Sequence, residues 1–264
     1  MRDMRLAQVV LIAHTHAYPL LSRLLKGIRM HPTISRGSIL LVGASRGLGF
    51  ALAAEFVKKG WSVVGTVQEG ARTELHDLAA EHPGRIEIES LDITEADQIT
   101  AVHDRLSGRS FDILFHNAGV ANANPREPIA EVSTDEFARV MVTNALSPMR
   151  VIEALQDLVV PHGTIAVMSS GQGSVANNEK GGFEVYRASK SALNQLMRSY
   201  AARHAGDPHT LLLMAPGWVQ TELGGPGARL TIGQSIPGVV DTIEAQAGHG
   251  GLQYLDYQGQ TVRW

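Results

Sequence analysis

The 264-residue sequence predicts an α/β fold in which a doubly wound parallel sheet of about seven strands is covered by helices on both faces. From Ser38 onward, short apolar runs alternate with segments of helical periodicity, which is the pattern of parallel strands joined by crossover helices. The first run is continuously apolar after its serine, as expected for a strand that is buried on both faces. This run also ends in a glycine-rich turn that leads directly into a helix.

The strands are predicted from short runs rich in β-branched and other apolar residues, bounded by turn-forming residues. Most runs are continuously apolar, whereas the third, Arg85–Leu91, alternates apolar and polar residues. The predicted strands, in chain order, are Ser38–Val42, Trp61–Val67, Arg85–Leu91, Phe111–Phe115, Thr164–Met168, Thr210–Met214 and Leu252–Leu255.

The helices are predicted where apolar residues recur at intervals of three or four. In the first helix, the apolar positions 48, 52, 53, 56 and 57 share one face. Thr94 is expected to cap the third helix, and Ser133 is expected to cap the fourth in a capping box with Glu136. The predicted helices are Gly47–Lys59, Glu74–Glu81, Glu95–Leu106, a long stretch from Ser133 to about Val159, Val185–His204 and Gln234–Ala247.

The composition excludes several classes of function. The chain has no cysteine, which rules out disulfides, thiolate nucleophiles and cysteine-based zinc sites. Its net charge of -3 gives no electrostatic reason to expect a nucleic-acid partner. No stretch reaches the roughly 20 apolar residues that a membrane span requires. We therefore expect no membrane span. The lack of cysteine leaves the redox compartment open, and a cytoplasmic protein is the default expectation.

The chain is predicted to consist of an N-terminal extension, residues 1–36, and a single domain, residues 37–264. The extension is basic, and its apolar residues at helical spacing are Leu20, Leu21, Leu24, Leu25 and Ile28. We expect it to be poorly ordered or to pack against the domain, and an amphipathic helix at a membrane surface is the alternative. His14 and His16 lack a third ligand at helical or hairpin reach, so no metal site is expected.

The turn after the first strand reads Gly43-Ala44-Ser45-Arg46-Gly47-Leu48-Gly49. Glycines permit a tight turn and a close backbone approach to a pyrophosphate, and the following helix N-terminus offers free N–H donors. In a sheet of this type, ligands bind beyond the carboxyl ends of the strands. An ordinary strand–helix turn is the alternative. The residues predicted to bind a dinucleotide here are Gly43, Ser45, Arg46, Gly47, Leu48 and Gly49.

Small polar residues also follow the third and fourth strands. Leu91-Asp92-Ile93-Thr94 follows the third, and His116-Asn117-Ala118-Gly119 follows the fourth. Taken singly, an Asp or Asn at a strand end is more often a turn former than a ligand contact. Their joint position favours an adenine and ribose site, with Asp92, Ile93, Asn117, Ala118 and Gly119 as its candidate residues.

A candidate catalytic group follows the fifth strand. Ser170 stands at the end of this strand, and Tyr186 and Lys190 are four residues apart in the next helix, so that the phenol and the ammonium share one helix face. A free tyrosine has a pKa of about 10, and an ammonium one turn away is expected to lower this pKa. Ser170 can hydrogen-bond a substrate oxygen beside the phenol. A surface tyrosine beside a solvated lysine is the alternative interpretation.

About residues 37–264 carry, in order, the motifs GASRGLG, LDIT, HNAG, SSG, YRASK and PGWVQT. This ordered set resembles the short-chain dehydrogenase/reductase family, whose members have a Rossmann-type fold and move a hydride between nicotinamide and a carbonyl or alcohol carbon. The C-factor and sniffer-type carbonyl reductases are the most similar members. That likeness is carried by SSGQGSVANNEKGGFEVYRASKSALN, APGWVQTELGG and the ending Tyr257-Gln258-Gly259-Gln260.

The resemblance implies a role for each candidate residue. Tyr186 would be the general acid in carbonyl reduction, Lys190 would lower its pKa and hold the nicotinamide ribose, and Ser170 would orient the carbonyl. Asn144 would place a water for proton relay through Lys190. The residues expected to line the nicotinamide amide and the pyrophosphate are Pro216, Gly217, Val219 and Thr221.

We expect NADP(H) to be the preferred cofactor. Use of NAD(H) stays open as an alternative. An NAD enzyme needs an acidic residue at the end of the second strand, and Thr66-Val67-Gln68 offers none. Arg46 in the glycine loop can meet a 2′-phosphate instead. Two residues depart from the family pattern, since Val42 replaces the usual threonine before the first glycine and His116 replaces the first asparagine of N-N-A-G.

The expected partner is a small carbonyl or alcohol substrate, and the family resemblance implies a homodimer or homotetramer formed through the helices that carry Asn144 and Tyr186. A dinucleotide-binding signalling protein of the C-factor type, with little or no turnover, is the alternative function. Such a protein has no physical need for Asn144, Ser170, Tyr186 and Lys190 together. A sugar-nucleotide epimerase is disfavoured because little chain follows Thr221.

Overall fold

The protein, represented by a computed structural model that describes residues 36–264, contains one seven-stranded sheet in the order β3-β2-β1-β4-β5-β6-β7. All neighbouring strands pair in parallel, which confirms the predicted doubly wound sheet. The strands are β1 (Ser38–Val42), β2 (Ser62–Val67), β3 (Ile86–Ser90), β4 (Phe111–His116), β5 (Val159–Met168), β6 (Thr210–Ala215) and β7 (Gly251–Asp256).

Seven α-helices longer than one turn connect these strands within the described part of the chain. They are α1 (Gly47–Lys58), α2 (Glu74–Glu81), α3 (Ala96–Leu106), α4 (Thr134–Met141), α5 (Ser147–Leu155), α6 (Glu184–Arg203) and α7 (Ile232–Ala245). Over residues 36–264, none of the helices has both the length and the apolar character needed to cross a bilayer. The predicted extension, with its leucine-rich segment, His14 and His16, lies outside the described residues except for Arg36.

The two faces of the sheet carry separate apolar cores. Successive strand residues point to opposite faces, so that Leu40 and Leu114 pack with α3, α5 and α6, whereas Leu41 and Phe115 pack with α1, α2 and α7. All four side chains are fully buried. This burial on both sides explains the continuously apolar runs of the inner strands. The alternating run at residues 85–91 forms β3, which lies at the edge of the sheet.

The long helical stretch predicted from Ser133 to about Val159 is confirmed, since the chain is helical from Thr134 to Leu158. Its winding changes along the way, because a five-residue π-helical turn, Val142–Leu146, lies between α4 and α5. The fifth strand begins earlier than the predicted Thr164, because Val159 already pairs with Phe111 of β4.

Two predicted helix caps also differ from the structure. The hydroxyl of Thr94 donates to the Asp92 carboxylate (2.7 Å), and α3 begins one residue later than predicted, with Glu95 at its N-cap. The Ser133 hydroxyl does accept the Glu136 N–H (3.2 Å), as predicted. The Glu136 carboxylate, however, pairs with Arg139 and accepts the backbone N–H of residue 123, so the capping box is not formed.

The turn from β1 into α1 requires glycine at two positions. Gly43 has a φ of 84°, and a β-carbon on it would lie 2.7 Å from that of Ala118. A β-carbon on Gly49 would lie 2.0 Å from the Gly43 carbonyl oxygen and 2.6 Å from the Asn117 side-chain nitrogen. Only a glycine at position 49 lets the first turn of α1 rest directly on the backbone at the end of β1.

We expect Gly49→Ala to lower the free energy of unfolding by about 2 kcal/mol, because the added methyl group forces backbone atoms apart in a packed turn. Urea unfolding followed by circular dichroism measures this change. Gly233→Ala is the matched control, since Gly233 also lies in the first turn of a helix and an added β-carbon there meets no atom within 4 Å. Equal effects of the two substitutions would contradict the close-packing explanation.

Candidate active site

The glycine loop, residues 43–49, lies at the carboxyl end of β1. Its Gly43 N–H donates to the Thr66 hydroxyl of β2 (3.0 Å), which ties the loop to the neighbouring strand. Arg46 is the N-cap residue of α1 and makes no side-chain capping hydrogen bond, so no cap covers the N–H groups of the first turn. Ser45, Gly47 and Leu48 are half-buried on this surface. The loop and helix end have the shape and donors of an anion cradle.

Arg46 forms an ion pair with Glu222, a residue that the sequence analysis did not single out. Both side chains are largely exposed, and the pair joins the glycine loop to the segment that follows β6. Glu222 immediately follows Thr221, a predicted cofactor contact. Its acidic side chain at that position is the one sequence feature from which a partner for Arg46 could have been suspected.

Asp92 at the end of β3 is held by hydrogen bonds on both carboxylate oxygens. One oxygen accepts the backbone N–H (2.9 Å) and the hydroxyl of Thr94, and the other accepts the Gln68 side-chain amide (2.9 Å). The Thr94 hydrogen bonds hold the pKa of Asp92 below its usual value, so this carboxylate stays ionised. The Gln68 contact draws the carboxyl ends of β2 and β3 together, with Ile93 buried beside them.

The turn Asn117-Ala118-Gly119 follows β4 and folds against the glycine loop. The Asn117 side-chain amide donates to the Gly43 carbonyl oxygen (2.8 Å), and the Ala118 N–H donates to the Val42 carbonyl oxygen (3.1 Å). A β-carbon on Gly119 would lie 3.2 Å from Asn144 Oδ1 and 3.4 Å from Lys190 Nζ. The turn therefore connects the candidate nucleotide residues to the candidate catalytic group.

Asn144 lies in the π-helical turn between α4 and α5 and is fully buried. Its amide nitrogen donates to the Val120 carbonyl oxygen (2.7 Å) and to the Ser189 hydroxyl (3.0 Å), and its amide oxygen accepts the Val120 N–H (2.8 Å). Both N–H donors are thus used within the protein. Asn144 therefore fixes the loop after β4 against α6.

Lys190 is 3% exposed and donates from Nζ to the Met168 carbonyl oxygen at the end of β5 (2.9 Å). Burial lowers the pKa of Lys190 to about 8, because the charged form loses hydration. Its Nζ lies 5.9 Å from the centroid of the Tyr186 ring. The predicted proximity of phenol and ammonium is therefore present in the structure.

The Ser170 side chain lies beside the Tyr186 phenol, close enough to influence its pKa. The Ser170 hydroxyl oxygen accepts the Gln172 N–H (3.1 Å), which orients the hydroxyl. Burial raises the pKa of Tyr186 to about 12, and the neighbouring Ser170 side chain opposes this rise only in part. The direction is opposite to the one predicted from the Tyr–Lys spacing, because desolvation of the phenolate outweighs the effect of an ammonium that is turned toward Met168.

His116, the departure from the family motif, is buried at the end of β4. Burial, with the nearby charge of Lys190, lowers the pKa of His116 to about 3. The imidazole is therefore neutral at ordinary pH and does not add a second charge beside the ammonium.

The segment after β6 carries the remaining predicted cofactor contacts. The Pro216 carbonyl oxygen accepts the Ser235 hydroxyl of α7 (2.6 Å), and Gly217 has a φ of 83°. Val219 forms an isolated parallel bridge with Leu230, and the Thr221 hydroxyl accepts the Gly224 N–H (3.0 Å). The Val219 and Thr221 contacts lie within the segment, whereas the Pro216 contact joins it to α7. The Arg46–Glu222 pair connects the segment to the glycine loop.

Tyr254 of β7 is a second residue that the sequence analysis missed. It is fully buried, and its hydroxyl donates to the backbone carbonyl of Ser170. A tyrosine inside a buried strand needs a hydrogen-bond partner for its hydroxyl. The position of Tyr254 in a predicted strand therefore indicated that its hydroxyl would bond to another part of the chain. The sequence does not show which residue that partner is.

The family model described as Enoyl-(Acyl carrier protein) reductase matches residues 43–231. The chain is 30% identical over 194 residues to the 3-oxoacyl-(acyl-carrier-protein) reductase FabG of Escherichia coli strain K12, covering 71% of this chain and 75% of that protein. It is 35% identical over 155 residues to the C-signal of Myxococcus xanthus, covering 58% of this chain and 92% of that protein.

Similar solved structures cover nearly all of the described residues. A Burkholderia multivorans structure described as a short-chain dehydrogenase/reductase with bound NADP is 63% identical, with a TM-score of 0.85, covering 86% of this chain and 99% of that chain. A carbonyl reductase from Pseudomonas aeruginosa PAO1 is 33% identical with a TM-score of 0.79, at the same coverage. The carbonyl reductase Sniffer of D. melanogaster is 28% identical with a TM-score of 0.77, again at the same coverage.

Proposed function

This chain belongs to the short-chain dehydrogenase/reductase family, and we propose that it reduces an aldehyde or ketone with a hydride from NADPH, using Tyr186 as the general acid. The observation that carries this proposal is the placement of the Ser170 side chain beside the Tyr186 phenol, with Lys190 Nζ 5.9 Å from the centroid of the phenol ring. The three groups meet at the carboxyl edge of the sheet, where ligands of doubly wound folds bind.

The glycine loop fits a dinucleotide. A pyrophosphate needs close backbone approach and free N–H groups, and the loop offers both, because a β-carbon at Gly43 or Gly49 would collide with neighbouring backbone and no side chain caps α1. When bound, NADPH supplies the hydride. The residues that we propose to hold it are Gly43, Ser45, Arg46, Gly47, Leu48, Gly49, Asp92, Ile93, Asn117, Ala118, Gly119, Tyr186, Lys190, Pro216, Gly217, Val219 and Thr221.

Tyr186 supplies the proton for the carbonyl oxygen in the proposed reaction. A pKa of about 12 keeps the phenol protonated at neutral pH, which is the form that a general acid needs. The Ser170 hydroxyl donates a hydrogen bond to the same carbonyl oxygen and stabilises the negative charge that develops there. Together, one hydride on carbon and one proton on oxygen give the alcohol.

Lys190 and Asn144 support the proton donor. A buried ammonium favours the phenolate that remains after the proton has left, and Lys190 is positioned for this by its bond to Met168. Asn144 holds the turn after β4 close to Lys190 through Val120. We propose that Asn144 places a water for proton relay through Lys190, since both side chains border Gly119 at the end of β4.

NADPH oxidation with a panel of aldehydes and ketones tests the proposal. Turnover of at least one carbonyl compound supports it. Tight binding of NADPH with no turnover of any of them would instead favour a dinucleotide-binding signalling role, which is the alternative that the similarity to the C-signal protein suggests.

We propose that NADP(H) is preferred over NAD(H). The end of β2 carries no acidic side chain that could bind a ribose diol, and the nearest carboxylate, Asp92, is occupied by Thr94 and Gln68. Arg46 is exposed beside the glycine loop, where its guanidinium can bind a 2′-phosphate. The similar Burkholderia structure, described as having bound NADP, is consistent with this preference.

We also propose that the protein is a homodimer or homotetramer. The exposed large apolar side chains Phe137, Leu146 and Leu196 lie on α4, the π turn and α6, next to an apolar groove between these elements. Apolar patches of this kind on a folded surface mark association sites, and a second copy of the same face would cover it.

Tyr186→Phe should lower kcat at least about a hundredfold, because the proton donor is lost while the ring that packs in the site is kept. The dissociation constant for NADPH, measured by protein fluorescence, should change little. Tyr200→Phe is the control, since Tyr200 is another tyrosine of α6, and its buried hydroxyl donates to Gln156 (2.5 Å), whose side chain has no part in the proposed chemistry. A Tyr186→Phe variant with wild-type kcat would refute the assignment.

Arg46→Ala should raise the KM for NADPH about tenfold or more and leave the KM for NADH nearly unchanged, because only NADPH carries the 2′-phosphate. Arg109→Ala, which removes an arginine paired with Glu87, serves as the control. Glu222→Gln should not raise the KM for NADPH, since it frees the Arg46 guanidinium. Equal effects of Arg46→Ala on the two cofactors would remove Arg46 from this role.

Leu196→Lys should shift the molar mass in light scattering toward that of the monomer, because a charge in the centre of an apolar interface is costly. Leu223→Lys is the control, as Leu223 is similarly exposed but lies in the segment after β6. A wild-type protein that is already monomeric, or an oligomer that survives Leu196→Lys, would contradict the proposed interface.

A further inference from the structure

Tyr254 reaches the catalytic loop from the last strand of the sheet. Its side chain is 1% exposed, and its hydroxyl donates to the backbone carbonyl of Ser170, 84 residues away in the sequence. The same carbonyl accepts the Gly173 N–H (2.8 Å). The Ser170 carbonyl group is therefore held by two hydrogen bonds, one from Gly173 in its own loop and one from Tyr254 in β7.

The neighbouring serine is held separately. The Ser169 hydroxyl donates to the Asn194 side-chain oxygen (2.6 Å), and the Asn194 amide donates to the Gly173 carbonyl oxygen (3.2 Å). These bonds attach the loop to α6. Only the Tyr254 hydroxyl attaches the Ser170 peptide itself to a side chain, among the hydrogen bonds of the described residues.

Residues 261–264 fold back over β7 and hold the Tyr254 ring in place. The Val262 N–H donates to the Tyr254 carbonyl oxygen (2.9 Å), and the Trp264 ring packs edge-on against the Tyr254 ring at 5.4 Å. The Arg198 guanidinium lies over the Trp264 ring, 4.4 Å from its centroid. The Trp264 carbonyl oxygen accepts the Ala176 N–H (2.9 Å), which ties this segment to the loop between Ser170 and Tyr186.

The Tyr254 hydroxyl keeps its proton under ordinary conditions. Burial raises its pKa, and the neighbouring Asn194 and Ser169 side chains oppose this rise only in part. A protonated phenol can donate to a carbonyl oxygen, whereas a phenolate cannot. The contact with Ser170 is therefore present across the neutral pH range.

We propose that Tyr254 is a positioning residue for the reduction, holding the Ser170 backbone so that the Ser170 hydroxyl points at the Tyr186 phenol and at the substrate oxygen. This inference rests on the proposed roles of Ser170 and Tyr186. Tyr254 itself does not contact the reacting atoms. Trp264, through its packing on the Tyr254 ring, supports the same contact.

Tyr254→Phe removes one hydroxyl and keeps the buried ring. We expect kcat to fall about tenfold, because the loss of one buried hydrogen bond lets the Ser170 hydroxyl turn from its reactive orientation. The KM for NADPH should stay within about twofold. Tyr200→Phe, which removes a buried tyrosine hydroxyl from a bond to Gln156, should leave kcat unchanged. A Tyr254→Phe variant with wild-type kcat would overturn the proposal.

A double-mutant cycle separates positioning from general stability. If Tyr254 acts through Ser170, Tyr254→Phe should have little further effect on kcat in a Ser170→Ala background, where no hydroxyl remains to be oriented. A merely structural role predicts the same tenfold loss in both backgrounds, and that result would refute the assignment.

Trp264→Leu provides a second variant in case Tyr254→Phe folds poorly. It should lower kcat about threefold through the lost ring contact, again only when Ser170 is present.

Amide hydrogen exchange followed by mass spectrometry tests the contact without any turnover. Peptides that cover residues 170–178 should exchange faster in Tyr254→Phe than in wild type or Tyr200→Phe, because the Ser170 peptide loses one of its two attachments. Unchanged exchange would overturn the positioning role even if the protein is an active reductase. Faster exchange in a protein that reduces no carbonyl compound would confirm the contact and refute the proposed function instead.

Discussion

The buried ammonium group of Lys190 is the constraint on which the arrangement of the carboxyl edge depends. Burying a charge costs free energy unless hydrogen bonds replace the lost water. Lys190 meets this requirement at the Met168 carbonyl oxygen, the last residue of β5. The same helix carries Tyr186 one turn earlier, and this places the phenol beside Ser170 at the end of β5. Lys190 and Tyr186 thus meet the end of β5 from one helix.

Among the polar groups around this ammonium, the Asn144 amide is hydrogen-bonded within the protein, whereas Nε2 of the buried His116 has no hydrogen-bond partner there. Asn144 uses its whole amide group to join the turn after β4 to α6. The π-helical turn allows this, since it brings the buried Asn144 side chain to Val120 without breaking α4 and α5 apart. His116 stays neutral beside Lys190, so that the departure from the family motif adds no like charge to the site.

The two parts of the candidate site are held in different ways. Ser170 is held by buried groups, including Tyr254 and its own loop. At the glycine loop, the Arg46–Glu222 pair is solvent-exposed, and exposed ion pairs contribute little to stability because water and salt screen them. In the proposed function, such a pair would open at low cost when a phosphate competes for the guanidinium.

The amino-acid sequence was enough to predict the parallel sheet and the order of its helices, and it singled out Ser170, Tyr186 and Lys190 as candidate residues, because strand runs, helix periodicity and motif spacing are local properties of the chain. It placed the glycine loop correctly for the same reason. Tertiary structure alone decided the raised pKa of Tyr186 and the contact from Tyr254. Both arise from burial and from hydrogen bonds between residues far apart in the sequence, and no local pattern encodes which distant groups will meet.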